Sequence, residues 1–299
     1  MSPGPEARLD LKRVMVPRPG HADLAGAVKY GHMDDARNVL ERASARETAA
    51  RTAAGAVAGI MLEKFGALAV GFTREIAGVA CKSVPRDATA IREKIRCSDF
   101  RCPDSSVEAK MKAAVEKAGR KGDTVGGIFE IRCSGVLPGL GSYVHWDRRL
   151  SARLAYAVMG INAVRGVEIG AGFASAALYG SQVHDEINYS KKKGFGRKTN
   201  NAGGIEGGVT NGEDIVVRAA MKPISTLLKP LMSVDLETRR KAPASVERSD
   251  ICAVPAAAVV GEAAVAWTLA CEYLEKFGGD TLDEALASRD RYERRLKNL

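Results

Sequence analysis

Five segments of the 299-residue chain pair an anion-seeking side chain with residues that let the backbone come close. They are Val16-Pro17-Arg18-Pro19-Gly20-His21-Ala22-Asp23, Glu41-Arg42-Ala43-Ser44-Ala45-Arg46-Glu47-Thr48 and the glycine-rich run from Thr199 to Gly208. Met221-Lys222-Pro223-Ile224-Ser225-Thr226 and Val246-Glu247-Arg248-Ser249-Asp250-Ile251-Cys252 complete the set. Arginine forks grip phosphate or carboxylate bidentately, and N–H groups in glycine-rich turns cradle the same oxygens. Alone, each segment reads more readily as a solvated helix face or a plain turn. Taken together they point to a pocket for a phosphorylated, multiply anionic small molecule.

Charge and composition bound that chemistry. Lys and Arg number 45 against 36 Asp and Glu, a net charge of +9. A cationic cleft concentrates a small polyanion, which accounts for such a surplus. Nucleic acid, suggested by the basic cluster Lys191, Lys192, Lys193, Arg197, Lys198, is disfavoured as the partner: aromatics make up only 5% of the chain, too few for the basic residues at large to be interleaved into a stacking platform. No dinucleotide fingerprint, Walker A, nucleophile elbow or His-Glu-x-x-His motif occurs. The six cysteines contain no C-x-x-C pair, which argues against a zinc site or a disulfide framework and suits reduced, core-filling thiols. No metal is expected. The start, Met-Ser-Pro-Gly-Pro-Glu-Ala-Arg, has no apolar signal region, and the apolar stretch Ala253–Cys271 carries Pro255 and Glu262. The expectation is a cytoplasmic chain without membrane insertion.

The elements that must position these segments follow from periodicity. An alanine-rich stretch from Ala36 to Phe65 predicts a long helix with a break near Ser44, stopped by Gly66. Ala67–Ala80 reads as a strand. Asp104 and Ser105 cap a helix with Val107, Met111, Ala114, Val115 and Ala118 on one face. A strand over Thr124–Val136, a helix over Asp147–Gly160, a strand over Val164–Ile169 and a short helix over Ala174–Tyr179 come next. Ser181–Gly212 reads as a long polar, basic loop, Ile215–Ala220 as a strand, and Ala256–Phe277 and Leu282–Lys297 as closing helices. Mixed order without βαβ spacing favours an α+β fold.

The run Val16–Val57, the block Gly141–Trp146 (GSYVHW), Arg165–Gly170 (RGVEIG), Ser181–Ile187 (SQVHDEI), Asn200–Gly212 (NNAGGIEGGVTNG) and Glu247–Pro255 (ERSDICAVP) resemble chorismate synthase in its bacterial monofunctional form. The likeness covers nearly the whole chain. It implies an α+β sandwich with helices between antiparallel β-sheets, one domain over residues 1–299, and a homotetramer. It also implies a shikimate-pathway lyase that converts 5-enolpyruvylshikimate 3-phosphate into chorismate by 1,4-anti elimination of phosphate. Reduced FMN is the implied cofactor, supplied by an external flavin reductant, and NADP is associated with the family.

By motif, the resemblance implies catalytic roles for His21 and Asp250. It implies FMN contacts for Arg42, Ala43, Ser44, Asn162, Ala163, Gly207, Lys222, Pro223, Ile224, Ser225, Thr226 and Arg248. Asn162 stands where Gln is more usual, keeping the amide but shortening its reach. Without the resemblance Asp250 reads as a cap near a helix start, and His32, His145 and His184 as structural or loop residues. Family members open with a strand and a Gly-Glu-Ser-His-Gly motif, neither of which precedes Val16 here. The expectation is therefore an incomplete N-terminal section, with an inactive homologue that still binds flavin or an anionic ligand as the alternative.

Overall fold

A computed structural model describes residues 13–191 and 194–298; the N-terminal stretch from Met1 to Lys12, and Lys192 and Lys193 of the basic cluster, lie outside them. The chain forms two compact units. The first comprises residues up to Arg46, Lys117–Thr124 and Ile224–Ile251; the second comprises Glu47–Glu116, Val125–Pro223 and the chain from Cys252 onward.

In chain order, α1 (Asp23–Tyr30) and α2 (Arg37–Arg42) are followed by a single 3-10 turn and α3 (Thr48–Lys64). The helix expected from Ala36 to Phe65 is thus broken after Arg42. The Ser44 hydroxyl accepts from the Arg46 N–H at 3.4 Å, a local bond that competes with the helical ladder. Gly66, at φ +84°, ends α3 as expected, with the Ala67 N–H on the Leu62 carbonyl and the Gly66 N–H on that of Glu63.

The stretch read as one strand is a hairpin of β1 (Leu68–Ile76) and β2 (Val79–Ala80). Its turn residues Ala77 and Gly78 have φ of +50° and +80°, the left-handed pair that a tight hairpin requires. Next comes α4 (Ala88–Ile95), unanticipated in a polar segment and capped by Asp87, whose carboxylate accepts from the Ala90 N–H at 3.0 Å. Then α5 (Ser105–Arg120) starts behind Asp104, which accepts from the Ser106 and Val107 N–H groups. β3 (Gly127–Ser134), α6 (Leu150–Met159) and β4 (Val164–Ile169) follow. The start of α6 falls later than expected because Trp146–Arg148 form a 3-10 turn and Arg149 is extended. The short helix expected at Ala174–Tyr179 is a 3-10 segment over Gly172–Ala177, followed by α7 (Gly180–Val183).

The supposed loop Ser181–Gly212 holds two small hairpins, β5 (Ile187–Ser190) with β6 (Gly194–Arg197) and β7 (Ile205–Glu206) with β8 (Val209–Thr210). Ion pairs from Arg197 to Glu206 and Lys198 to Glu186 spend two of the basic residues on local structure. The chain closes with β9 (Ile215–Met221), β10 (Met232–Val234), β11 (Lys241–Pro243), α8 (Val254–Phe277) and α9 (Leu282–Lys297).

In the second unit, an antiparallel sheet runs in the order β2-β1-β3-β9-β4. Alternate residues Phe129, Ile131 and Cys133 of β3 and Ile215, Val217 and Ala219 of β9 are buried in the main core. Small residues let α8 approach closely: a Cβ on Gly71 would lie 2.1 Å from the Ala258 carbonyl oxygen, and one on Gly55 of α3 would lie 2.3 Å from the Ala263 Cβ. Although α8 has the length and composition to cross a bilayer, it is a core helix, with 14 of its residues buried. The opposite sheet face carries α4, through Val70, Phe72, Ile91 and Ile95, and a charged ladder in which buried Glu130 meets Arg74, Arg132 and Arg218. Cys81, Cys102 and Cys133 fill the core as expected; Cys97 and Cys271 are exposed instead, because they lie on outward positions near a helix end and along α8.

The first unit has a smaller core of Val14, Ala27, Ala36, Val39, Leu40 and Leu236. The segment Met15–Pro17 lies along the β10–β11 hairpin: Leu236 N–H donates to the Met15 carbonyl at 2.8 Å, Ser233 Oγ to that of Pro17 at 2.6 Å, and Ser245 N–H to that of Val16 at 3.1 Å.

Candidate functional site

Anchored in this way, Arg18 begins a tight turn. Pro19 supplies a fixed φ, Gly20 takes φ +78°, and the His21 N–H returns to the Arg18 carbonyl at 3.2 Å. Two residues later Asp23 opens α1 with no exposed surface. One Asp23 oxygen, Oδ2, accepts from the Arg18 N–H at 3.0 Å and Nε at 2.8 Å; the other, Oδ1, faces Arg18 Nη2 at 3.1 Å and His21 Nδ1 at 2.6 Å. Arg18 Nη1 donates to Thr226 Oγ1 at 2.8 Å. Burial alone would raise the Asp23 carboxyl, but hydrogen bonds from His21 and Arg18 and the guanidinium charge outweigh it and hold the acid far below the usual carboxylate range.

Of the expected residues, the structure therefore brings His21 and Thr226 together through Arg18. Sequence reasoning placed Arg18 and Asp23 inside a motif without giving them roles. Their signal was an arginine and an aspartate flanking a Pro-Gly turn that ends on histidine.

Elsewhere in this unit, Thr124 Oγ1 donates to the Ile224 carbonyl at 2.7 Å, which fixes the strand of chain carrying Ser225 and Thr226. Arg42, Ala43 and Ser44 close α2, with Arg42 exposed. Arg37 lies 3.7 Å from both Glu41 and Glu247, tying α2 to the segment that bears Arg248 and Asp250. Both of those residues are exposed. The cap expected of Asp250 does not form: α8 starts four residues later, with Ala253 as its N-cap and no side-chain bond there, because the intervening residues carry the chain past capping range.

In the second unit the expected residues gather at one corner of the sheet. Val164 of β4 pairs with Met221 of β9, and the Lys222 N–H donates to the Ala163 carbonyl at 3.0 Å. Asn162 and Ala163 thus adjoin Lys222 and Pro223. Ala163 takes φ +66°, rare for a residue with a Cβ. Burial, and then the neighbouring Arg165 charge, lower the Lys222 ammonium. Gly207 occupies a different place, the β7–β8 turn, where it and Gly208 take φ of +60° and +90°. A carboxylate and an amide organise the chain before that turn: Asp185 accepts from the Asn201 and Ala202 N–H groups, and Asn200 accepts from that of Gly204, each at 2.8 Å.

The family model described as chorismate synthase matches residues 8–274. A chorismate synthase of Desulforamulus reducens is 52% identical over 302 residues, spanning 100% of this chain and 77% of that protein. One from Caldicellulosiruptor bescii is 57% identical over 275 residues, 91% of this chain and 72% of the relative. A crystal structure of a chorismate synthase superposes with a TM-score of 0.81 at 43% identity, covering 93% of this chain and 77% of that one. The chain belongs to the chorismate synthase family. The α+β class expected from the sequence agrees with that relative's fold. As a chorismate synthase family member, the chain has its Arg-Pro-Gly-His-Ala-Asp motif folded into one hydrogen-bonded unit rather than a string of surface residues.

Proposed function

We propose that this chain performs the reaction of its family, the 1,4-anti elimination of phosphate from 5-enolpyruvylshikimate 3-phosphate to give chorismate, with reduced FMN bound. The observation that carries the proposal is the match of more than nine-tenths of the chain to chorismate synthases at 52–57% identity. The donor set suits a flavin phosphate and a phosphorylated substrate. A half-buried ammonium pressed by a neighbouring arginine, as at Lys222 beside Arg165, gains when an anion arrives.

Bound reduced FMN supplies an electron that eases phosphate departure and is recovered as the hydrogen leaves, so there is no net redox change. The chain's own residues do the rest. His21 would take up and return a proton, and Asp250 would relay one. Lys222, Ser225, Thr226, Arg42, Ser44 and Arg248 grip anionic oxygens, while Asn162, Ala163, Gly207, Pro223 and Ile224 shape the contact with the cofactor. The flavin is reduced by an external supply, in the cytoplasm.

Assembly as a homotetramer belongs to the same proposal. Supporting it, the second unit exposes Tyr143, Trp146, Tyr156, Phe173 and Tyr179, each at 74% or more. Large exposed aromatics of this kind mark protein interfaces.

An anaerobic assay with reduced FMN and 5-enolpyruvylshikimate 3-phosphate tests the function through phosphate release. Turnover supports the proposal. Flavin binding without turnover would favour the inactive homologue. Sedimentation equilibrium tests the assembly, with four chains expected and a monomer counting against it.

A further inference from the structure

Asp23 is as buried as any apolar core residue, yet it is a carboxylate with four hydrogen-bond contacts from two residues. Three come from Arg18 and satisfy its charge. The fourth, from His21 Nδ1 to Oδ1 at 2.6 Å, has a chemical consequence for the ring. An ionised carboxylate offers only lone pairs, so the proton in that short contact belongs to Nδ1. Arg18 does not choose between the ring nitrogens. Its Nη2 lies 3.1 Å from His21 Nδ1 and 3.3 Å from Nε2, and a guanidinium only donates. With Nδ1 carrying its own proton to Asp23, Nε2 is the ring atom left with a lone pair.

We propose that Asp23 is a positioning residue that locks neutral His21 in its Nδ1–H tautomer, leaving Nε2 as the atom that takes up and returns the proton His21 handles. Arg18 holds Asp23 in register for this task and is itself held by Thr226. The proposal rests on the reading of His21 as the proton-handling residue. The order of parts, a nucleophilic or basic nitrogen fixed by a buried acceptor on its other nitrogen, follows from the distinctness of the two ring atoms. It makes the turn Arg18-Pro19-Gly20-His21 a single device: proline and glycine set the path, arginine and aspartate set the ring.

Long-range 15N–1H NMR on the full chain, at a pH where imidazole is neutral, reads the tautomer directly. The chain has only 4 histidines, and loss of one set of signals in His21→Ala assigns the ring. The parent should show a protonated Nδ1 and an unprotonated Nε2, which needs no substitution at the buried pair. Asp23→Asn should shift the ring toward a mixture of tautomers and lower kcat roughly tenfold to a hundredfold with KM changed less than about twofold. Asp23→Glu should restore part of both, and Asp23→Asn should cost nothing further in a His21→Ala background. An Nε2–H tautomer in the parent, or an unchanged tautomer in a folded Asp23→Asn protein, overturns the proposal. Full turnover by His21→Ala, together with an Nδ1–H ring in the parent, would instead remove the proton-handling role of His21 while leaving the lock standing.

Discussion

The His21 corner and the Lys222 corner both present cationic chemistry, but they are built by opposite means. At His21 the scaffold is side chains: a buried ion pair, a hydroxyl and a ring, braced on a turn. At Lys222 it is backbone: the register of β4 on β9, a left-handed Ala163 and one N–H to carbonyl bond. A network of side chains falls when one member is removed. A corner made by strand pairing keeps its shape when a side chain is changed, and loses only what that side chain binds.

The sharpest break is at the ring. His21→Ala should lower phosphate release about 10²- to 10⁴-fold, the usual worth of a positioned acid or base, and cost about 1–3 kcal/mol in chemical denaturation through the hydrogen bond lost to buried Asp23. Next comes Arg18→Ala, which strands a buried carboxylate and should cost about 3–5 kcal/mol in chemical denaturation. The matching change at the other corner, Lys222→Met, should stay within about 1 kcal/mol of the parent. Equal losses at the two positions would erase the contrast. Lys222→Met should still weaken FMN about tenfold by fluorescence titration, as expected for one lost charge-assisted bond.

Acid sharpens the comparison further. Asp23 titrates below its ordinary value of 3.8 when folded, so its contribution is full above the unfolded pKa and is lost as pH falls through the folded one. Between about pH 5 and about pH 3 the parent should lose more melting temperature than Asp23→Asn does. The smallest effect is expected at Ala163→Gly. Relief of the left-handed strain and the greater freedom of the unfolded chain nearly cancel, leaving stability within about 1 kcal/mol.

Much of this could be read from local order, and the failures share a cause. Periodicity and an Asp104 cap located α5, and β4 falls on Val164–Ile169 as expected, because burial on one face imposes a pattern that neighbours repeat. The β1–β2 turn passed unnoticed since Ala77 gives no sign of a positive φ. The hairpins within Ser181–Gly212 were masked by their own polar composition, which pairs Arg197 with Glu206 and Lys198 with Glu186.

The sequence alone settled membership of the family, the cationic character of the sites and the identity of His21 and Lys222 as residues worth following, because these depend on residue type and order along the chain. Only tertiary structure decided that Arg18 and Asp23 clamp the histidine and that Asn162 and Ala163 adjoin Lys222. Hydrogen bonds between side chains, and pairing between strands about 50 residues apart, depend on distance in space, about which adjacency in the chain is silent.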